Sequence, residues 1–207
     1  MLRQIWLICF LLVVIVLVNV TCPPTVHEGI DSNINYYAFV PTMNKKSIVN
    51  ARRQKSKIGT RLHIVPYTSN EYIKQLALLQ SISKKMDSDN AKFLSVFFED
   101  SFAVESDLNR KLENIVDQLG DIDYDILLLG GNANMQGDLV KDDVYRLVAG
   151  IPFTNVYGYI INNMNLDKMV SKIKNAHGKT MQDKLYTLSE NRAIVVFCVY
   201  PALVTGL

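Results

Sequence analysis

Glu99 and Asp100 stand directly after the apolar run Phe93–Phe98, and they are the residues of this chain whose types and position most clearly could do chemistry. A run of this length and aromatic content predicts a strand buried on both faces, with the two acids where the strand ends. Ligands of open α/β sheets bind outside the carboxyl ends of the strands. Hard carboxylate oxygens there would suit Mg²⁺ or Mn²⁺, which would in turn neutralise a nucleotide diphosphate. Acids also follow strands as solvated loop residues, so spacing alone leaves both interpretations open.

The charges are unevenly distributed, although the formal net charge is only +2. Between Ser32 and Asn70 there is no acid, and seven basic residues stand there: Lys45, Lys46, Arg52, Arg53, Lys55, Lys57 and Arg61. Between Asp87 and Asp143 there are fourteen acids against four Lys or Arg. This division predicts a site for an anionic ligand, with or without a bridging cation. Two differently solvated surfaces are the alternative.

Sixteen residues without a charge, Ile5 to Val20, lie between Arg3 and the pair Pro23–Pro24. Their length favours an uncleaved signal-anchor transmembrane segment, residues 1–22, over a cleaved signal peptide, because no Ala or Gly marks a cleavage site. A buried core helix is the third alternative. Arg3 predicts a cytoplasmic N-terminus and a single-pass type II topology. The domain would then be luminal or extracellular, in the secretory pathway or on a virion envelope.

A stalk, residues 23–35, would join this segment to one domain, residues 36–207. Three cysteines do not make a disulfide framework, and at most one bridge, Cys22 to Cys198, could form outside the apolar segment. The domain must therefore be stabilised mainly by a buried core, for which its length is sufficient. No metal-ligand spacing involves the three histidines, His27, His63 and His177.

Hydrophobic periodicity predicts strands that alternate with amphipathic helices. The predicted strands are Tyr36–Val40, Leu62–Val65, Phe93–Phe98, Tyr124–Leu129, Val156–Ile161 and Ala193–Val199, with stops at Pro41, Pro66 and Gly130–Gly131. The predicted helices begin at the capping residues Asn70, Ser106, Asn165 and Thr180, and Asp183 completes a capping-box spacing with Thr180. This alternation predicts an α/β domain with a largely parallel sheet.

Several short motifs follow one another in a recognisable order. Phe98-Glu99-Asp100-Ser101 ends the acidic strand, and the segment from Asp123 to Gly130 follows after a helix. Thr154–Ile161, Met181–Asp183 and Tyr200–Val204 come later. In this order the motifs resemble the lipopolysaccharide-type glycosyltransferases of family 25, over roughly Tyr36 to Val204. The resemblance implies a GT-A fold, a nucleotide-diphospho-sugar donor, a glycan or protein acceptor, and Mn²⁺ or Mg²⁺ as a cofactor.

The resemblance also implies roles for individual residues. Glu99 and Asp100 would hold the metal or the donor, Arg52 or Arg53 would contact phosphate, and Asp183 would act as catalytic base or acceptor ligand. Ser101 stands where the family has a third acid. A neutral hydroxyl is a weaker ligand than a carboxylate, so this departure predicts reduced metal affinity.

The basic stretch Ala51–Ser56 supports a rival function. Its spacing is often found in segments that bind sulfated polysaccharides, and a positive face can bind such polyanions without a pocket. The rival is a catalytically inactive membrane or virion envelope protein that binds glycosaminoglycan or a protein partner through this face. Nucleic acid is not an expected partner beyond a membrane anchor. An exposed loop and helix without a ligand is the structural alternative.

Overall fold

The computed structural model describes residues 34–207, except residues 60, 69, 90–93, 134–137, 143–145 and 150–152. These residues belong to one unit, Asn33–Leu207. The predicted anchor, residues 1–22, and nearly all of the predicted stalk lie outside the described residues, so both stay predictions. In the described ranges, no helix combines the length and the apolar character needed to cross a membrane.

The described residues contain ten strands: β1 (Ile34–Pro41), β2 (Leu62–Tyr67), β3 (Leu94–Phe98), β4 (Phe102–Val104), β5 (Ile126–Ala133), β6 (Asp138–Asp142), β7 (Arg146–Ala149), β8 (Phe153–Ile161), β9 (Val196–Tyr200) and β10 (Val204–Gly206). Eight form one sheet in the order β2-β1-β3-β8-β5-β9-β7-β6, while β4 and β10 pair separately. The pairings run six of the eight strands in one direction, with β7 and β8 opposed. The predicted α/β class, with most strands in one direction, is therefore confirmed.

Five α-helices flank this sheet among the described residues: α1 (Lys45–Ile58), α2 (Glu71–Asp89), α3 (Leu108–Leu119), α4 (Leu166–Asn175) and α5 (Met181–Glu190). The caps predicted at Asn70 and Thr180 are confirmed, because each side chain accepts a backbone N–H of the first turn. Asn165 is the N-cap residue of α4, as predicted, but its side chain makes no capping hydrogen bond, and its amide donates to Asp123. The cap predicted at Ser106 is wrong, because Asp107 precedes α3.

The two faces of the sheet carry different helices. On one face, Phe97 stacks with Tyr37, Phe39 and Tyr159, and these rings belong to a core that includes residues of α2, α4 and α5. On the other face, the Tyr36 hydroxyl hydrogen-bonds Asn109 of α3. There, α1 donates a hydrogen bond from its Asn50 amide to the backbone of β4. Successive side chains of β1 and β3 point to opposite faces of the sheet. The helices therefore lie in two layers, one on each face.

Two of the predicted strand stops are wrong for physical reasons. β2 continues through Pro66 to Tyr67, which the sheet tolerates because β2 is an edge strand and the missing N–H is not needed on its open side. β5 continues through Gly130 and Gly131 to Ala133. A Cβ at Gly130 would lie 1.7 Å from the Val204 carbonyl oxygen, so this glycine allows close packing of β10 and does not make a turn.

Candidate functional site

The site is located by the order in which the first three strands enter the sheet. From β1 the chain passes through α1 to β2 on one side, and then through α2 to β3 on the other side of β1. All three strands are parallel, so Pro41, Tyr67 and Phe98 end at the same edge. A reversal of this kind opens a crevice at the carboxyl ends of the strands, where α/β proteins bind ligands. Glu99 follows β3 at this point, as predicted.

Five side chains from four elements meet beside this crevice: Glu99, Glu71 and Gln75 of α2, Tyr67 of β2 and Tyr159 of β8. We call them the acid cluster. The Gln75 Nε2 atom lies 3.1 Å from Glu71 Oε1 and 3.1 Å from each carboxylate oxygen of Glu99. Glu99 also hydrogen-bonds Glu71 and Tyr159, and Tyr67 hydrogen-bonds Glu71. One amide and two phenols thus hold two acidic side chains in contact.

The contact between Glu71 and Glu99 requires a proton. Burial raises the pKa of Glu99 well above its ordinary value, and the hydrogen bond and negative charge of Glu71 raise it further. Two carboxylates side by side would repel each other, whereas a carboxyl and a carboxylate form a hydrogen bond. The shared proton lies between the two acids, so the pair offers mainly acceptor lone pairs to its surroundings.

The two phenols of the cluster are donors held in their neutral form. Burial raises the pKa of Tyr159, and the negative charge of Glu99 raises it further. Burial also raises the pKa of Tyr67, and the charge of Glu71 acts in the same direction. Both hydroxyl groups therefore keep their protons and continue to donate hydrogen bonds to the acids.

Gln75 is the buried amide of the cluster, and one of its side-chain atoms lacks a hydrogen-bond partner among the described residues. The side chain is 1% exposed. Its Nε2 group donates to the acids, but its Oε1 atom has no hydrogen-bond partner among the described residues. A buried amide oxygen without a donor costs about 1–3 kcal/mol. This oxygen would be satisfied by a donor that enters the cluster, from a ligand or from water.

Asp100 and Ser101 continue from Glu99 at the surface. Asp100 is partly buried, and the Ser101 hydroxyl donates to Asp100 Oδ1 at 3.2 Å. Ser101 adopts a left-handed backbone with φ of 61°, and its carbonyl accepts the Leu207 N–H at 2.9 Å. In the described part of the chain, no group of three or more His, Cys, Asp or Glu side chains is arranged to hold a metal ion. The metal site predicted at Glu99 and Asp100 stays a prediction.

Arg52 and Arg53 lie on α1, a helix that the hydrophobic pattern did not predict. Asn44 caps this helix by accepting the N–H groups of Lys46 and Ser47. The buried side of α1 is formed by Ser47, Ala51, Gln54 and Ile58, and both arginines are exposed. Their predicted contact with a phosphate group stays a prediction.

Asp183 has a structural role in the first turn of α5. Its Oδ2 atom accepts the backbone N–H of Thr180 at 3.0 Å and of Lys179 at 3.1 Å, and the Thr180 hydroxyl oxygen accepts the Asp183 N–H at 3.0 Å. The backbone and side-chain hydrogen bonds of Thr180 lower the pKa of Asp183. A lowered pKa makes this carboxylate a weaker proton acceptor, although its predicted role at an acceptor is not tested by this geometry.

A cavity of about 200 Å³ lies further along the sheet and is lined by Leu128, Gly130, Gly131, Cys198, Val199, Tyr200 and Ala202. Cys198 is a buried free thiol, and burial raises its pKa to about 12. Its proposed partner in a bridge, Cys22, lies outside the described residues. At this pKa the thiol is not a nucleophile at neutral pH, so Cys198 packs as an apolar residue in the wall of the cavity.

Sequence reasoning found Glu99 and Asp100 but missed the other members of the acid cluster. Glu71 and Gln75 are one helical turn apart at the start of α2, directly after the strand that ends at Tyr67. This i, i+4 spacing next to a strand end was a usable signal. Tyr159 lies in the middle of an apolar strand, and its approach to Glu99 depends on the antiparallel pairing of β8 with β3.

Comparison with known proteins leaves the family open. No protein-family model matches the chain, and no curated protein sequence matches it either. The crystal structure of A197 from STIV is similar over 82% of this chain and 83% of that chain, with a TM-score of 0.45 and 12% sequence identity. At this TM-score and identity, the likeness supports no statement about family or activity.

Proposed function

We propose that this chain is a glycosyltransferase-like protein with a GT-A-like domain, which transfers a sugar from a nucleotide-diphospho-sugar to a glycan or protein acceptor. The observation that carries the proposal is the acid cluster beside the crevice formed by β1, β2 and β3. Sugar transfer needs a positioned acceptor hydroxyl and electrostatic help for the departing diphosphate. The order of the motifs from Glu99 to Val204 adds the resemblance to family 25.

The proposed roles follow from the position of each side chain. Glu99 and Asp100 are partly exposed at the end of β3, where they would meet the donor. Asp100, which lies outside the acid cluster, would face the Mn²⁺ or Mg²⁺ cation, and Glu99 would face the remainder of the donor. Arg52 and Arg53 would contact phosphate only if the ligand extends to the exposed face of α1. For Asp183 we retain the role of acceptor ligand, because its lowered pKa makes it a poor base.

The proposed cellular setting rests on the apolar segment Ile5–Val20. We propose that it anchors the protein in a membrane with type II topology, so that the domain lies in the secretory lumen, outside the cell or on a virion. Nucleotide-sugars are available to a luminal enzyme, while a surface protein would meet extracellular glycans. Either setting is compatible with a glycan as the acceptor or ligand.

Nucleotide-sugar binding tests the transferase. We expect saturable binding when the full chain is titrated with UDP- and GDP-sugars, followed by calorimetry with and without Mn²⁺. Glu99→Ala and Asp100→Ala should each weaken it at least about tenfold, the effect of losing one hydrogen bond to a charged group. Glu190→Ala, at an exposed acid in the last turn of α5, is the matched control. Absence of saturable binding, or binding that both site variants leave unchanged, would rule out the enzyme.

A second candidate function is supported by the charge of α1. The helix contains six basic residues and no acid, and Lys45, Lys46, Arg52, Arg53 and Lys55 are all exposed. The buried residues occupy one side, so the basic side chains share the opposite, solvent-facing arc over about 18 Å of helix. Two lysines in the first turn are also unfavourable for the helix dipole. We propose this surface, the basic face, as a binding site for a sulfated polysaccharide.

Heparin retention tests the basic face. Changing Arg52, Arg53 and Lys55 together to Ser should weaken binding of the full chain to heparin about tenfold at 0.15 M salt, if each charge contributes about 0.5 kcal/mol. The wild-type affinity should fall steeply as salt rises. The matched control changes three exposed lysines elsewhere, Lys168, Lys174 and Lys179, to Ser. Equal losses in both triple variants would show that net charge alone, and not the basic face, causes retention.

A further inference from the structure

The acid cluster has a composition that does not suit a phosphate group. The groups that act on Glu99 are an acid, an amide and a phenol, and none of these three carries a positive charge. A diphosphate placed here would face two acidic side chains, and juxtaposed like charges cost several kcal/mol. Glu71 and Glu99 offer hydrogen-bond acceptors, while the single O–H of each phenol is already donated to one of the acids. These acceptors suit a ligand that is itself rich in hydroxyl groups.

The acid cluster combines buried residues with partly exposed ones. Gln75 and Tyr159 are each 1% exposed, whereas Tyr67, Glu71 and Glu99 are partly exposed. Solvent therefore reaches part of these three residues, while Gln75 and Tyr159 hold the carboxyl groups in position. The partly exposed ring of Tyr67 adds an apolar surface of the kind that packs against the C–H face of a sugar.

The unsatisfied oxygen of Gln75 is a second, independent indication of a ligand. Its Nε2 group is fully engaged by Glu71 and Glu99, but its Oε1 atom has no partner among the described residues. A hydroxyl group can donate to this oxygen, either directly after a small side-chain adjustment or through a bridging water. A phosphate group without a proton cannot, because it only accepts hydrogen bonds.

We propose that the acid cluster is the subsite for the sugar ring, binding the hydroxyl groups of a neutral carbohydrate, and that the diphosphate of a nucleotide-sugar binds elsewhere. The inference rests on the proposed transferase function and assigns the substrate group that this part of the site recognises. The carboxyl oxygens of Glu71 and Glu99 accept hydrogen bonds from hydroxyl groups of the sugar. Gln75 and Tyr159 orient the pair and are positioning residues.

The inference is tested with ligands that separate the sugar from the nucleotide. The full chain is kept in a polyoxyethylene detergent, since glycoside detergents would compete, and is studied by saturation-transfer difference NMR. The probes are the methyl glycosides of glucose, galactose, mannose and N-acetylglucosamine, and UDP and GDP without sugar. We expect at least one methyl glycoside to bind without Mn²⁺. Glu71→Gln and Glu99→Gln should each weaken that binding at least tenfold, while Glu190→Gln should leave it unchanged.

The variants are isosteric, and a thermal melt of each one separates lost binding from lost folding. Sugar binding that both Glu→Gln variants leave intact would overturn the inference. The proposed transferase function would still stand if the chain binds nucleotide-sugars. Binding of UDP or GDP that needs Mn²⁺ and is lost in both variants, with no binding of any methyl glycoside, would also overturn the inference and make the cluster a metal site. Binding of a methyl glycoside without binding of any nucleotide-sugar would support the sugar subsite and remove the transferase.

Discussion

An alanine at position 130 is expected to lower the free energy of unfolding by at least about 3 kcal/mol, at the upper end of the cost of overpacking a core. A Cβ there would lie 1.7 Å from the carbonyl oxygen and 2.6 Å from the carbonyl carbon of Val204. Both atoms belong to the backbone of β10, so no side-chain rotation relieves the overlap. Either β10 moves away from β5 or the domain does not fold.

The expected effect extends to the candidate site. β10 pairs with β4, and the Leu207 N–H donates to the Ser101 carbonyl next to Asp100. Displacing β10 should therefore loosen the segment that follows Glu99. Urea unfolding measures the stability, and hydrogen exchange of the β4 amides measures the local loosening.

Gly59→Ala is the matched control for this prediction. Gly59 has a φ of 97°, and no atom lies within 4 Å of the position of its Cβ. With a ψ of −166°, this residue lies in a region nearly restricted to glycine, so the variant should cost only backbone strain, on the order of 1–3 kcal/mol. Equal losses in Gly59→Ala and Gly130→Ala would show that the contact with Val204 does not determine the stability.

The proton held by Glu99 should make the stability of the domain depend on pH. The folded protein binds this proton more tightly than the unfolded chain, because burial and Glu71 raise the pKa of Glu99 above its ordinary value of 4.5. The stabilisation from this proton is complete below pH 4.5 and is lost as the pH rises through the raised pKa. Glu99→Gln, which keeps the shape without the charge, should therefore become more stable than the wild type as the pH rises from 5 to 8. We expect a relative gain on the order of 1 kcal/mol, the scale of an uncompensated buried polar group.

Urea titrations at pH 5, 6.5 and 8 measure this difference. Glu71→Gln should flatten the pH dependence in the same direction, because it removes the charge that raises the pKa of Glu99. Glu190→Gln, at an exposed acid of α5, should follow the wild-type curve. Parallel curves for the wild type and Glu99→Gln would contradict the structure of the acid cluster.

Local patterns in the sequence were sufficient for much of the fold. The apolar run before Glu99 predicts a buried strand, and β3 ends at Phe98. The stripe of Leu108, Leu112 and Ile115 predicts α3, and all three side chains are buried. The spacing of Thr180 and Asp183 predicts the capping box that the structure contains. Each of these features depends on neighbours within about one turn of helix or along one strand.

Helix α1 was not predicted, because it lacks a pattern of this kind. Its mean composition is polar, and four buried residues on one side, including Ser47 and Gln54, hold it against the sheet. Gln54 accepts the Val104 N–H of β4 at 3.3 Å, a contact between residues fifty positions apart. Hydrophobic periodicity does not detect a helix that is buried partly through polar contacts of this kind.

By itself, the sequence determined the α/β class, the uneven charge and the two acids at the end of a buried strand. These properties follow from residue types and short-range spacing. Only the tertiary structure decided that β8 runs antiparallel between β3 and β5. It also brought Glu71 and Gln75 into contact with Glu99, although Gln75 and Glu99 are 24 residues apart in the sequence. Strand order and register arise from packing between distant segments, so spacing along the chain cannot determine them. Of the two acids found in the sequence, Glu99 became part of a candidate site only when α2 and β8 supplied the groups that surround it.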